Sequence, residues 1–289
     1  MVKTLMCIGN SVGSTSTANT TQYWNPIGSH AASTTEGVRQ TLLRSAGTMS
    51  NLFVRLTANS LSGGSLTIRT RVNGANGGQS VSFAAGATGT AEDGSGTDTI
   101  AAGDKYCYQS VPPATGTFTA IIMSSIFDAT TDTVSRLGGQ GLDTFAVASV
   151  TRFNTLAAGS GYLLTTENNA NVRQREAGTW KNLCANITSN SRTTTTTIKS
   201  RKNDADGNML ISISAGETGF LEEDTPSSDS VSVGDDFNFA ITTGTGTESM
   251  STRGICADFV STTGNGQMVM GSGATSPSTI ADATTRYAA

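Results

Sequence analysis

The chain has 289 residues, a formal net charge of −4 and a pI near 5.0, with 14% charged and 36% hydrophobic residues. That balance excludes a protein whose main work is neutralising phosphate backbones, and no direct sequence-specific nucleic-acid binding is expected despite the local basic patch Lys199, Arg201, Lys202. With 33 glycines and abundant Ser and Thr in place of Lys and Glu, the surface suits packing against other protein.

The run Met1-Val2-Lys3-Thr4-Leu5-Met6-Cys7-Ile8 breaks at Gly9-Asn10 and is shorter than the apolar region of a secretion signal, so synthesis in a host cytoplasm is expected, with the finished protein residing in an assembled particle. No stretch is long and apolar enough for a transmembrane span. Residues 1–24 read as the last strand and connection of a repeating unit, with Leu5, Cys7 and Ile8 in the role of Ile121, Met123 and Ile126, or of Ile255, Cys256 and Phe259. Thr21-Gln22-Tyr23 returns as Thr151-Arg152-Phe153 and as Thr285-Arg286-Tyr287. Such a strand must close the sheet of its own domain or reach a neighbouring subunit, which makes Leu5, Cys7, Ile8, Tyr23 and Trp24 the candidate assembly residues.

The next stretch, from Val38 to Phe127, occurs twice. Val38-Arg39-Gln40 is echoed by Val172-Arg173-Gln174, Ala46-Gly47-Thr48 by Ala177-Gly178-Thr179, and Thr57-Ala58-Asn59-Ser60 by Thr188-Ser189-Asn190-Ser191. Ile68, Arg71, Asn73, Ala75 and Gly77 answer to Ile198, Arg201, Asn203, Ala205 and Gly207, and Gly103-Asp104 to Gly234-Asp235, always at an offset of 130 to 134 residues. This is a domain-sized period, well above the roughly 20 to 50 residues of a solenoid or propeller blade. The expected layout is 1–24 as a partial repeat, 25–154 as domain 1 and 155–289 as domain 2.

Within each copy the hydrophobic period is two. Leu52, Val54 and Leu56 alternate with Phe53, Arg55 and Thr57, and the copy gives Leu183, Ala185 and Ile187. Leu66 to Val72 ends at Asn73-Gly74, a strong hairpin signal, repeated as Asn203-Asp204. Val81–Ala85 and Leu210–Ser214 place Phe83, Ile211 and Ile213 inward. Acidic glycine-rich loops are expected over 86–96 and 216–228, then strands carrying Tyr106 and Tyr108 (Phe237 and Phe239), then Phe118, Ala120 and Ile122 (Ile255, Ala257 and Phe259). A short helical turn is plausible only within 38–45. The fold class is all-β, two tandem antiparallel β-sandwich domains arising from internal duplication. Neither copy holds the Cys, Trp, Cys core of an immunoglobulin domain, which favours the jelly roll.

No residue pattern calls for catalysis or for a cofactor. His30 lies in a Gly/Ser loop with no nucleophile motif near it. Asn203-Asp204-Ala205-Asp206-Gly207 has the short carboxylate spacing of a calcium loop, but the first copy reads Asn73-Gly74-Ala75-Asn76-Gly77, so a hairpin turn explains both. Glu222-Glu223-Asp224 reads as a solvated loop tip. Cys107, Cys184 and Cys256 align with Asn238, Phe53 and about Ser124, so no disulfide framework repeats and buried free thiols are expected; no metal spacing is present.

The skeleton Asn51-Leu52-Phe53-Val54-Arg55-Leu56, then Thr67-Ile68-Arg69-Thr70-Arg71-Val72-Asn73-Gly74, then Ile100-Ala101-Ala102-Gly103-Asp104, resembles a sandwich repeat found in proteins of phages and environmental viruses. At the level of architecture, two jelly rolls in one chain are similar to double jelly-roll capsid proteins. The resemblance implies a structural, self-assembling virion component (capsid, tube or surface decoration), not an enzyme, whose partners are copies of itself in a symmetric or helical assembly and other virion proteins. Two further readings stand beside it: a carbohydrate- or receptor-binding fibre module, for which Tyr23, Trp24 and Tyr162 would form the aromatic cluster, and a subunit of an extracellular filament.

Overall fold

The computed structural model describes residues 3–9, 16–17, 19–27, 32–131, 133–139, 145–156 and 163–264. In the first unit the strands are β1 (Lys3–Gly9), β2 (Ser16–Thr17), β3 (Gln22–Trp24), β4 (Thr41–Leu42), β5 (Gly47–Asn59), β6 (Leu66–Val72), β7 (Ala75–Phe83), β8 (Gly89–Ile100), β9 (Lys105–Val111) and β10 (Thr117–Ala129). The second unit has β11 (Val134–Gly139), β12 (Thr151–Asn154), β13 (Val172–Arg173), β14 (Gly178–Asn190), β15 (Thr196–Lys202), β16 (Ala205–Ile213), β17 (Gly219–Glu222), β18 (Ser228–Val231), β19 (Asp236–Thr243) and β20 (Met250–Ser261).

Each unit is a sandwich of two five-stranded antiparallel sheets. In the first, β1-β10-β5-β8 faces β3-β9-β6-β7; in the second, β11-β20-β14-β17 faces β12-β19-β15-β16. The opening strands β1 and β2 pair with the last, β10; β3 and β4 pair with the next to last, β9; then β5 pairs with β8, and β6 with β7 across the central hairpin. This is one long hairpin folded over on itself, the jelly-roll connectivity.

The alternation that predicts the strands also builds the cores. Leu52, Val54, Leu56, Leu66, Ile68 and Phe83 are buried in the first unit, as are Leu183, Ala185, Ile187, Ile198, Ile211 and Ile213 in the second. Asn73-Gly74 turns with φ of 51° and 82° and Asn203-Asp204 with 49° and 63°, the two left-handed positions of a type I′ turn. Asn59 donates to the carbonyls of Ala84 (3.1 Å) and Ala87 (2.7 Å), and Asn190 repeats this with Ser214 and Glu217 (both 3.0 Å).

The structure revises five expectations. β11 lies beside β20 and β12 beside β19, so residues 134–154 belong to the second unit and the boundary falls between Ala129 and Val134 rather than at 154/155. β1 is accordingly the counterpart of β11, the opening strand of the next unit, not of β10 or β20. The confusion has a physical source: a jelly roll lays its first strand against its last, and both are apolar with the same period. Of the two expected loops, 86–96 is a turn only as far as Thr88 and from Gly89 belongs to β8, which runs to Ile100 along β5, and 216–228 is interrupted by β17 (Gly219–Glu222). The helical turn is a 3-10 turn at Glu36–Val38, matched by Glu167–Asn169, so Val38 answers to Asn169 and the echo with Val172 is out of step by three residues. A bulge between Ala120 and Ile122 also turns Ile122 away from the core, which Met123 and Phe127 fill instead.

Candidate assembly interface

Two elements position the surface where the units meet. The first is the elbow of unit 1, from the 3-10 turn through β4 to Ser45. Arg71, from β6, holds it with a two-point pair, Nε to Glu36 Oε1 at 3.1 Å and Nη2 to Glu36 Oε2 at 3.0 Å. Unit 2 repeats that clamp as Arg201 with Glu167 at 2.7 and 2.8 Å, and the Arg201 hydrogen bond keeps the Glu167 carboxyl below the ordinary glutamate range. The second element is the outer face of the β11-β20-β14 sheet of unit 2.

Arg136 joins the two. Its side chain and that of Asp258 are fully buried, with Nη1 donating to Asp258 Oδ1 at 2.9 Å. Nη2 donates across the junction to the Leu42 carbonyl at 2.7 Å and contacts Cys184 Sγ at 2.8 Å, while the Arg136 amide donates to Thr4 Oγ1 at 3.2 Å. Asp258 Oδ2 accepts from Ser45 Oγ and Asn182 Nδ2, both at 2.7 Å. Burial works against the arginine's charge, but Cys184 and Asp258 outweigh it and push its pKa up, so the guanidinium is ionised at any ordinary pH. The two terminal nitrogens of Arg136 and both carboxylate oxygens of Asp258 are satisfied in this way, Nη1 also reaching the Asn182 carbonyl at 3.4 Å, while Nε has no hydrogen-bond partner among the described residues.

Around this centre Asn186 Nδ2 donates to the carbonyls of Gly37 (2.9 Å) and Gln40 (3.3 Å), and Arg44 pairs with Glu222. The Lys105 ammonium sits 4.8 Å from the centroid of Phe220. The core of unit 1 continues across the junction, its buried cluster including Leu42, Val134, Cys184 and Cys256. At its edge Arg39 and Arg253 are lowered to about 10, both by burial and Arg253 also by Arg39. Cys256, also buried, is pushed up to about 12. The units therefore form one block, the end of unit 1 seated on the outer face of unit 2.

The sequence-derived candidates divide. Leu5 is 40% exposed on the outer face of β1. Cys7 and Ile8 pair through their backbones with Ser124 and Met123 of β10, and their side chains lie outside the described residues. β1 thus closes the sheet of its own domain. Trp24 is buried and donates from Nε1 to Ser110 Oγ at 3.1 Å, and Tyr23 Oη accepts from Gln109 at 3.2 Å, so Trp24 is a core residue and offers no surface platform. His30, Tyr162 and Thr285-Arg286-Tyr287 fall outside the described residues.

Of the carboxylates weighed for calcium, Asp206 is bonded to Lys199 at 2.9 Å and to Arg201, so cationic side chains already occupy it. Glu222 serves the junction through Arg44, and Glu223 Oε2 accepts from the Leu183 amide at 3.2 Å; only Asp224 caps a loop amide, that of Ser212, as a solvated tip would. Sequence reasoning missed Arg136 and Asp258. A signal existed for Arg136, the one charged residue in the otherwise apolar or small-residue strand Val134–Gly139, since a lone charge on a core strand implies a partner; Asp258 shares its strand with Arg253 and stood out less.

No family model matches the chain, and no curated protein matches it. Among solved structures it is similar to an insecticidal delta-endotoxin of Bacillus thuringiensis at 7% identity and a TM-score of 0.24, covering 87% of this chain and 60% of that one. The chain thus spans about 60% of the toxin's length, and at that score the likeness carries no argument.

Proposed function

We propose that this chain is a structural, self-assembling building block and not an enzyme, and that the assembly is a virion part: a capsid, a tube or a surface decoration. The observation that carries the reading is the junction. A fully buried Arg136–Asp258 pair, tied to Leu42, Ser45 and Thr4, fuses two jelly rolls into one block. Tandem carbohydrate- or receptor-binding modules gain little from such fusion, whereas a tile that must hold its shape under load from neighbours depends on it. The weakly charged Ser/Thr surface and the resemblance of the repeat to phage and environmental viral proteins point the same way. The burial of Trp24 takes one of the three aromatics out of the cluster that the glycan-reading alternative needs.

The test is negative-stain electron microscopy and sedimentation velocity on the full chain from micromolar to millimolar concentration. Shells, tubes or sheets support the reading; a sharp monomer peak throughout refutes it. A deletion of residues 1–24 is no control, because it removes β1 from β10 and β3 from β9.

A further inference from the structure

The junction is heterologous: it uses the end of unit 1 and the outer face of unit 2. The repeat-equivalents of those two surfaces, the end of unit 2 and the outer face of unit 1, are left over. We propose that they bind each other between molecules, so that a second copy seats the end of its unit 2 on the β1-β10-β5 face of this unit 1. The inference rests on the assembly reading above and names the contact that would carry it.

Register fixes the correspondence. Thr48 on β5 answers to Thr179 on β14, and the two meet Asp128 and Val260 respectively. Hence Leu5 opposite Ile126 stands where Arg136 stands opposite Asp258, Phe53 stands for Cys184, and Ser124 for Cys256. On the seating side, Leu42, Arg44 and Ser45 answer to Arg173, Arg175 and Glu176, since Thr41 meets Tyr106 as Val172 meets Phe237.

Three features single out this face. Leu5 is one of three large hydrophobic side chains left exposed among the described residues, and half-buried Phe53 and Ile126 lie on the same side of the sheet. Secondly, the ion pair of the existing junction is duplicated. Arg44 meets Glu222 in the chain, and the counterparts Arg175 and Glu92 are both exposed, Glu92 holding only a 3.5 Å contact from Asn51. Glu92 faces Phe53 across the strand pair as Glu222 faces Cys184, so the carboxylate is placed alike in both. Thirdly, Asn186, which donates to the Gly37 and Gln40 carbonyls, is replaced by the exposed donor Arg55, opposite where the Asn168 and Asn171 carbonyls of a second copy would lie.

Two exchanges make the intermolecular version weaker. Arg173, which pairs with Asp236, replaces the buried Leu42, and no buried ion pair stands at Leu5. A contact that forms only at high concentration suits a subunit that must stay single until it is abundant. Repetition of a heterologous contact yields a filament, or a ring if the rotation closes.

The test measures sedimentation and light scattering on the full chain and on Glu92→Arg, Arg175→Glu and Leu5→Arg, with folding checked by circular dichroism. All three substitutions lie at exposed positions and should leave the fold intact. Each is expected to raise the concentration for assembly by about tenfold or more, since like charges would then face each other or a charge would sit on the apolar patch. An equimolar mixture of Glu92→Arg with Arg175→Glu should assemble again, because each variant's altered surface then meets the other's. If the wild type assembles and all three variants do so undiminished, this contact is wrong while the building-block reading stands. If the wild type never assembles, both fall.

Discussion

At one position of the jelly roll the first unit carries Leu5 opposite Ile126, and the second carries Arg136 opposite Asp258. The backbones agree in pairing, and Asn51 and Asn182 occupy the same left-handed bulge at φ of 56° and 58°. Duplication supplied two copies of one face. The copy covered by its neighbour within the chain became ionic and closed, and the copy left outside remained apolar and half-open. The difference teaches that the fold does not dictate this face; what lies on top of it does.

Breaking the pair gives the largest effect. Arg136→Leu leaves Asp258 buried without its cation and is expected to cost about 3–5 kcal/mol, read as a lowered urea midpoint, whereas Leu5→Ala should cost under about 1 kcal/mol. The double change Arg136→Leu with Asp258→Ile, which imports the first unit's residues, should be less destabilised than either single variant. It will not reach wild type, because the Leu42 carbonyl and Ser45 hydroxyl lose their partners. A double variant worse than both singles would sink this account.

Acid should distinguish the units next. Glu167 is held below its ordinary pKa by Arg201, and Asp206 by Lys199 and then Arg201, while the first unit has Asn76 where Asp206 stands. A folded pKa below the unfolded one means stability that is full above the unfolded value, about 4.3 for glutamate, and is lost as pH falls through the folded value. The second unit should therefore lose on the order of 1 kcal/mol more than the first on going from pH 5 toward pH 3, after allowance for solvent screening at the exposed Asp206. Hydrogen exchange followed at both pH values would show it; equal loss in the two units would refute it.

Smaller still, Asn59→Ala and Asn190→Ala each remove the same two hydrogen bonds to a loop and should cost about 1 kcal/mol apiece by thermal melting. Near-equal costs are the expectation for positions that the comparison treats as unchanged. With no stability change at all, Cys184 and Cys256 should resist alkylation in the folded chain, since both are buried and burial pushes both thiols up.

Much of this was readable from the sequence, and the failures share one cause. Strands, hairpins and core faces follow from local alternation and from Asn-Gly or Asn-Asp turns, so they survived comparison with the fold. Cys184 was matched to Phe53 correctly because both sit in a long, well-patterned strand. The domain boundary failed because Val134–Gly139 is short and ends in Gly-Gly, and only its neighbour β20 makes it a strand. β8 failed because Ala91-Glu92-Asp93-Gly94-Ser95-Gly96 has little intrinsic strand preference; hydrogen bonding to β5 holds it, and Asp98 bonded to Gln79 at 2.7 Å anchors its inner side. Arg136 and Asp258 lie 122 positions apart, a separation that no local pattern spans.

The seating of one unit's end on the other's face also sets a clock on synthesis. Unit 1 has all its strands once Ala129 is made, but the residues that cover Leu42 and engage Ser45 arrive on β14 and β20, the last ending at Ser261. At roughly 5–20 residues per second that interval lasts on the order of ten seconds. Throughout it, nascent chains on a shared message expose an apolar end whose natural ligand is a jelly-roll face, and a finished neighbour already carries one. A fragment ending after residue 131 should therefore be aggregation-prone on its own and rescued by adding the second unit in trans, with light scattering as the readout.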